Sequence, residues 1–149
     1  MQTQKLLDRI ATLLQVNLSD LALDEADPQA AVAHWRAEME RGLEQAKDAV
    51  AAARVQERRL EQQLKEAQIS IARWDAQVDA ALQARDEEQA LVALRRKMAY
   101  ESVAQELQLK LDHHRQVVAE MKASVKALQD KIQDLEGLAR PPRSGSKTL

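Results

Sequence analysis

The sequence predicts an all-α protein, built as a long antiparallel helical hairpin (coiled coil) preceded by a short amphipathic helix. The chain of 149 residues holds three glycines and three prolines, far fewer turn residues than a sheet protein needs. Aromatic residues make up 2% of the chain, which is too few to fill a bulky globular core. The apolar residues follow helical periods along most of the chain, and this favours extended helices.

An amphipathic helix is predicted over residues 4–21, within an N-terminal segment of residues 1–24. Arg9 lies at the border of its apolar arc and Lys5 just beyond it, whereas Asn17 interrupts the arc. The apolar face has three possible fates: it packs on the hairpin, it mediates self-association, or it lies in a membrane interface. The arc consists of Leu6, Leu7, Ile10, Leu13, Leu14, Leu18 and Leu21.

The first long helix is predicted over residues 28–84. Asp27 is a favourable N-cap, and Pro28 suits the first helical position because its missing N–H is not needed there. Apolar residues then alternate in steps of three and four, as in a coiled coil, and Glu57 alone intrudes. This seam consists of Leu43, Ala46, Val50, Ala53, Leu60, Leu64, Ala67, Ile71, Trp74, Val78 and Ala81.

The chain is predicted to reverse within residues 83–88 and to continue as a second helix over residues 87–137. Gly137 and the prolines after it end this helix. Two helices of similar length joined by a short turn predict a hairpin over residues 25–138. Residues 139–149 are expected to form a disordered tail. The second seam is predicted as Leu91, Leu94 and Met98, then, after a slip in phase, Leu107, Leu111, His114, Val118, Met121, Val125, Leu128, Ile132 and Leu135.

Composition argues against several functions. The net charge of −2 and the scattered aromatic residues predict no nucleic-acid binding. The chain has no cysteine, and His113 and His114 are adjacent on a helix, so no metal site is predicted. Neither a catalytic constellation nor a phosphate-binding glycine loop occurs, so we expect no enzyme and no cofactor. No apolar stretch is long enough to span a membrane and no secretory signal is recognisable, which predicts a cytoplasmic protein.

Several segments, in this order, are similar to those of a known family. They include residues 26–29 after the leading helix, residues 36–40 with Leu43, residues 57–64, and the stretch from Trp74 through residues 80–82 to residues 86–91. The chain resembles the phage shock protein A family, bacterial relatives of the ESCRT-III membrane-remodelling proteins, over residues 4–138. Because the sequence ends in a Pro-rich tail, we expect a short member without the further helices of typical members.

The resemblance implies a membrane-associated, self-assembling scaffold that stabilises or remodels the bacterial inner membrane under stress. It implies a location on the cytoplasmic face of that membrane and association with further copies or a longer paralogue. Trp74, otherwise expected to be a large core anchor, would contact a AAA+ transcription activator. Anionic lipid would bind the leading helix through Lys5, Leu6, Leu7, Arg9, Ile10, Leu13, Leu14 and Leu18.

Two other functions are weighed against this one. A soluble coiled-coil adaptor or regulator would pack the leading helix on protein and present Trp74 to a partner. A chaperone resembling prefoldin is disfavoured, because the sequence predicts none of the β-strands that such chaperones use for assembly. Replacing Leu13 and Leu14 with Glu distinguishes the membrane scaffold from the soluble adaptor. A helix that inserts into the membrane would lose lipid binding without loss of hairpin helicity.

Overall fold

The computed structural model describes residues 2–24 and 27–139, which form four helices: α1 (Gln2–Leu14), α2 (Leu18–Asp24), α3 (Pro28–Gln83) and α4 (Glu87–Ala139). The predicted all-α hairpin is confirmed, since α3 and α4 are long and pack against each other. α4 continues past Gly137 to Ala139, so this glycine does not end the helix. The predicted tail beyond Ala139 lies outside the described residues.

The described chain divides into two compact units. The first unit takes α1, α2, the part of α3 up to Ala51 and the part of α4 from Ala119. The second unit covers residues 52–118 and contains the turn between α3 and α4. Each unit has buried apolar residues of its own, including Met39 and Leu128 in the first and Leu60 and Leu111 in the second.

Capping residues fix where the long helices begin. Asp27 Oδ1 accepts a hydrogen bond from the Ala30 amide at 3.2 Å, and α3 starts at Pro28 as predicted. Asp86 Oδ1 accepts one from the Gln89 amide at 3.1 Å and caps α4 in the same way. The turn between them has Arg85 in the left-handed region, with φ at 55°. The amides of Arg85 and Asp86 donate to the carbonyls of Leu82 and Ala81, a Schellman arrangement that ends α3 without a glycine.

The prediction of one continuous leading helix is wrong. α1 ends at Leu14, and α2 begins at Leu18. The amides of Gln15 and Val16 donate to carbonyls three residues back, which tightens and ends the helix. Asn17 Oδ1 accepts a hydrogen bond from the Ser19 amide at 3.0 Å, so the polar residue inside the apolar arc is the N-cap of α2.

The seam predicted for the beginning of α4 is also wrong. Leu91, Leu94 and Met98 are 54%, 39% and 58% exposed, whereas Ala90 and Ala93 are 8% and 4% exposed. From Ala90 the steps of three and four continue through positions 97, 100 and 104 to Leu107, so the seam has no slip in phase. Continuity with the long seam therefore outweighs the larger size of the leucines one residue further on.

Two polar residues at seam positions, His114 on α4 and Glu57 on α3, have partners on the opposite long helix. His114 Nε2 lies 2.5 Å from the carbonyl oxygen of Ala53, so this nitrogen carries the proton and donates it. Glu57, which the pattern identified as an intruder, is paired with Arg115 at 3.8 Å, and Arg115 also binds Glu61 at 3.0 Å. These contacts explain how the seam accepts polar side chains without leaving them unpaired.

Candidate functional site

The candidate site is the apolar face of α1, which is docked in the core of the first unit. Ile10 and Leu13 are 1% and 5% exposed. They belong to one buried cluster with residues of α2, α3 and α4, and Leu6, Leu14 and Leu18 pack against it while half-buried. The other buried members are Leu21, Val32, Met39, Ala46, Leu128, Ile132 and Leu135.

Gly42 of α3 makes the close approach of α1 possible. It is buried, and a Cβ atom at this position would come within 3.1 Å of Leu13 Cδ1 and 3.6 Å of Leu128 Cδ2. The first distance is tighter than an ordinary van der Waals contact, so a larger residue would push Leu13 away. A glycine inside a helix lowers helix stability, so its place within α3 was the available sequence signal for a close contact at this position.

Polar contacts hold the rim of the docked helix. Arg9 donates to Gln45 Oε1 at 3.2 Å and lies 3.4 Å from a carboxylate oxygen of Glu38, both on α3. Lys131 of α4 donates to the carbonyl oxygen of Leu14 at 3.1 Å, where α1 ends and its last carbonyls lack helical partners. The helix is thus tied to both long helices of the unit.

Glu38 sits between two arginines. Its partial burial acts to raise its pKa, but the charges and hydrogen bonds of Arg41 and Arg9 outweigh this and hold the pKa below its ordinary value. Glu38 is therefore ionised near neutral pH, and its carboxylate remains available to Arg9.

The residues predicted to bind membrane do not share one environment. Lys5 is exposed, Leu7 is half-buried, and Arg9 is exposed but engaged with α3. Ile10 and Leu13 face the protein core, which corresponds to the packing alternative for the apolar face. The outer face of α1 is polar or small and includes Gln4, Asp8, Ala11 and Thr12.

Trp74, predicted to contact a partner, is half-buried at its seam position in the second unit. The guanidinium carbon of Arg96 lies 5.9 Å from the centre of its ring, within the range of a cation–π contact. Beside it Lys97 donates to Asp75 at 2.8 Å, and this hydrogen bond and the attraction of the carboxylate raise the pKa of Lys97. Trp74 thus has neighbours within its own unit.

α4 carries an exposed apolar stripe, although the sequence pattern predicts its residues in the seam. Leu91, Leu94 and Met98 recur at helical spacing on one face of α4 in the second unit. Their side chains could have been assigned correctly by extending the long seam backwards from Leu107 in strict heptads. We call these three residues the exposed stripe.

Among residues 2–24 and 27–139, no group of three or more His, Asp or Glu side chains is arranged to hold a metal ion. No helix in the same range is long and apolar enough to cross a membrane.

The fold and the site define a helical-hairpin protein that carries an amphipathic N-terminal helix. The chain belongs to the PspA/IM30 family, whose sequence model matches residues 5–138. The family resemblance stated from the sequence is thereby confirmed.

Three curated relatives have been matched. The chain is 33% identical over 129 residues to the membrane-associated protein Vipp1 of Nostoc punctiforme, covering 87% of this chain and 50% of that protein. It is 29% identical to the membrane-associated protein Vipp1 of Synechocystis, over 87% of this chain and 48% of that protein. It is 28% identical to the chloroplastic membrane-associated protein VIPP1 of Oryza sativa, over 85% of this chain and 40% of that protein. The chain therefore spans half or less of the length of these relatives.

Proposed function

We propose that this chain is a non-enzymatic, peripheral membrane scaffold. The observation that carries the proposal is α1, a separate helix of 13 residues with its apolar side chains on one face. Membership of the PspA/IM30 family, with relatives that are named as membrane-associated, supports the same role. α1 inserts its apolar face shallowly into an anionic bilayer on the cytoplasmic side of the inner membrane, and the hairpin stabilises or remodels that membrane under stress.

Each feature of α1 has a role in this mechanism. Leu6, Leu7 and Leu14 supply apolar surface together with Ile10 and Leu13, at about 1 kcal/mol for each half-buried side chain. Leu18, the first residue of α2, adds to this surface. Lys5 and Arg9 stand on the polar border of the face, where they meet anionic headgroups. One such helix binds weakly, and self-association through the hairpins, with further copies or a longer paralogue, presents several at once and raises the affinity.

Co-sedimentation with vesicles tests the proposal. We expect the purified chain to pellet with vesicles rich in phosphatidylglycerol and to stay in solution with phosphatidylcholine alone. The variant Leu13→Glu/Leu14→Glu should lose this binding. Its matched control, Ala11→Glu/Thr12→Glu, adds the same charge to the exposed face of α1 and should retain most of it.

The burial of Leu13 means that the double Glu variant has a second effect. Replacing this buried side chain with Glu also releases α1 from the core. Loss of binding in a chain whose α1 is released therefore points to the apolar face itself. Binding that is equal in the two double variants would contradict the membrane role of this face.

A second candidate function is a soluble adaptor or regulator that binds a protein. The exposed stripe, with Trp74 half-buried in the same unit, favours it. The AAA+ transcription activator implied by the family resemblance is the partner proposed for this surface. Binding of the ATPase domain of such an activator to the wild type and to Trp74→Ala tests it, and equal affinities would exclude Trp74 as the contact.

A further inference from the structure

The same face of α1 serves both the core of the first unit and the proposed membrane contact. Ile10 and Leu13, at the centre of that face, are almost completely buried against α3 and α4. A side chain enclosed by protein cannot at the same time enter a bilayer. We propose that docking of α1 is an autoinhibitory contact that competes with membrane insertion, an inference that rests on the proposed membrane function.

The docking site is shaped for α1. Gly42 leaves room for Leu13, and Leu128 lies against the same position from α4. Gly42 lies inside α3, where glycine costs helix stability relative to most residues. Glycine at this position lets Leu13 lie close to α3 without having to shift, which favours the docked state of α1.

The polar rim ties the docked state to the kind of membrane that opens it. Arg9 is engaged by Glu38 and Gln45 when α1 is docked. On release this exposed arginine loses both contacts, and headgroups with net negative charge can then pair with it in place of the Glu38 carboxylate. A neutral bilayer can bury the apolar face of α1 but has no net negative charge to pair with Arg9. Anionic lipid therefore favours the released state in two ways, because it buries the apolar face and also pairs with Arg9.

The expected effect follows from the population of the released helix. If a small fraction of molecules has α1 undocked, the apparent affinity for vesicles is reduced by that fraction. A variant that cannot dock α1 should bind at correspondingly lower lipid concentration, while every residue of the membrane-binding face is unchanged.

Two glycine substitutions provide the test. Gly42→Gln adds a side chain at a position where the Cβ atom alone would come within 3.1 Å of Leu13 Cδ1, and it leaves the sequence of α1 unchanged. Gly137→Gln is the matched control, since a Cβ at this position meets no atom of the described residues within 4 Å. With phosphatidylglycerol vesicles, we expect half-maximal binding of Gly42→Gln at about tenfold lower lipid than the wild type. Gly137→Gln should bind like the wild type.

A reversible cross-link provides the converse measurement and does not depend on the folding of Gly42→Gln. The chain has no cysteine, so Thr12→Cys/Gln45→Cys can be joined specifically. Thr12 is exposed, lies one turn along α1 from Arg9, which donates to Gln45, and is not among the residues proposed to bind the membrane. A bis-maleimide with a disulfide in its spacer would hold α1 docked. We expect the linked protein to stay unbound and to regain vesicle binding when a reductant cleaves the spacer.

The outcomes separate this inference from the function on which it rests. If hydrogen exchange shows α1 released in Gly42→Gln and yet vesicle binding does not improve, autoinhibition is overturned. Binding by the linked protein equal to that of the cleaved protein would overturn it as well. In both cases the membrane function survives if Leu13→Glu/Leu14→Glu still binds less than Ala11→Glu/Thr12→Glu. Without that difference, the membrane function of this face fails first.

Discussion

Lys131 Nζ donates a hydrogen bond to the carbonyl oxygen of Leu14 at 3.1 Å, which joins α4 to the last residue of α1. The two residues are far apart in the sequence, and their contact satisfies the last carbonyl of α1, which has no partner within the helix. Together with the contacts of Arg9 on α3, it holds the amphipathic helix against the hairpin.

Replacing this lysine should loosen α1. Lys131→Met keeps most of the aliphatic stem and removes the donor, at a cost of about 1 kcal/mol to docking. We expect faster hydrogen exchange in the amides of residues 6–14 and little change in the hairpin. The control is Lys126→Met, whose lysine pairs with Asp130 on the surface. Equal exchange in the two variants would show that the Lys131 contact does not hold α1.

The core of the first unit should be sensitive to lost volume. Leu128 is fully buried, and Leu128→Ala should lower the free energy of unfolding by about 2–5 kcal/mol because it leaves a cavity. Leu109→Ala makes the same chemical change at a residue that is 65% exposed and should cost little. Urea denaturation followed by circular dichroism measures both. Similar losses in the two variants would contradict the placement of the core.

The register of α4 can be tested with polar substitutions. Ala93→Gln places a larger polar side chain in the seam and should destabilise the chain by about 1–3 kcal/mol. Met98→Gln changes a residue that is 58% exposed and should leave the thermal midpoint nearly unchanged. The opposite order of the two midpoints would restore the seam that the sequence first predicted.

The left-handed residue at the hairpin turn should be improvable. Arg85 has a φ of 55°, a conformation that costs an L-residue with a side chain about 1 kcal/mol relative to glycine. Arg85→Gly should therefore raise the thermal midpoint, whereas Arg85→Ala should not. A lower thermal midpoint for the glycine variant would contradict the left-handed conformation of Arg85 at the end of α3.

The docked state should weaken in acid. The pKa of Glu38 is lowered in the folded chain by Arg41 and Arg9, which prevail over the opposing effect of partial burial. A carboxyl group whose pKa is lower in the folded than in the unfolded chain stabilises the folded state at pH values above its pKa in the unfolded chain. This contribution to stability is lost as the pH falls through the pKa of the folded chain. Wild type should therefore exceed Glu38→Gln in stability at about pH 7, and the two should converge towards about pH 3. A difference that persists in acid would contradict this origin.

Much of the fold follows from local rules in the sequence. Asp27 and Pro28 mark the start of α3, and the heptads from Leu43 onwards define a face that the structure buries. The pattern was ambiguous where two apolar stripes run one residue apart, as at Ala90 and Leu91. Size favoured the leucine, but the register of the whole helix decides which stripe is buried.

Of the two surfaces that meet at the candidate site, only the apolar face of α1 could be predicted from the sequence. The amphipathic face of α1 is visible in the sequence because Ile10 and Leu13 recur at helical spacing. Its docking partners Gly42, Glu38 and Lys131 are far away in the chain, and periodicity carries no information on which distant residues meet. Asn17 interrupts the apolar face in the sequence pattern because the residue that caps a new helix is polar and does not fit the periodicity of a continuous one.

The most direct measurement of the central claim places a reporter on α1 itself. Because the chain lacks cysteine, Leu7→Cys can carry a single environment-sensitive fluorophore at a half-buried position of the helix. Entry of α1 into the bilayer predicts a blue-shifted, brighter emission when phosphatidylglycerol vesicles are added and no such change with phosphatidylcholine. An unchanged emission from protein that has nonetheless pelleted with the anionic vesicles would contradict the account, since binding would then occur through another surface.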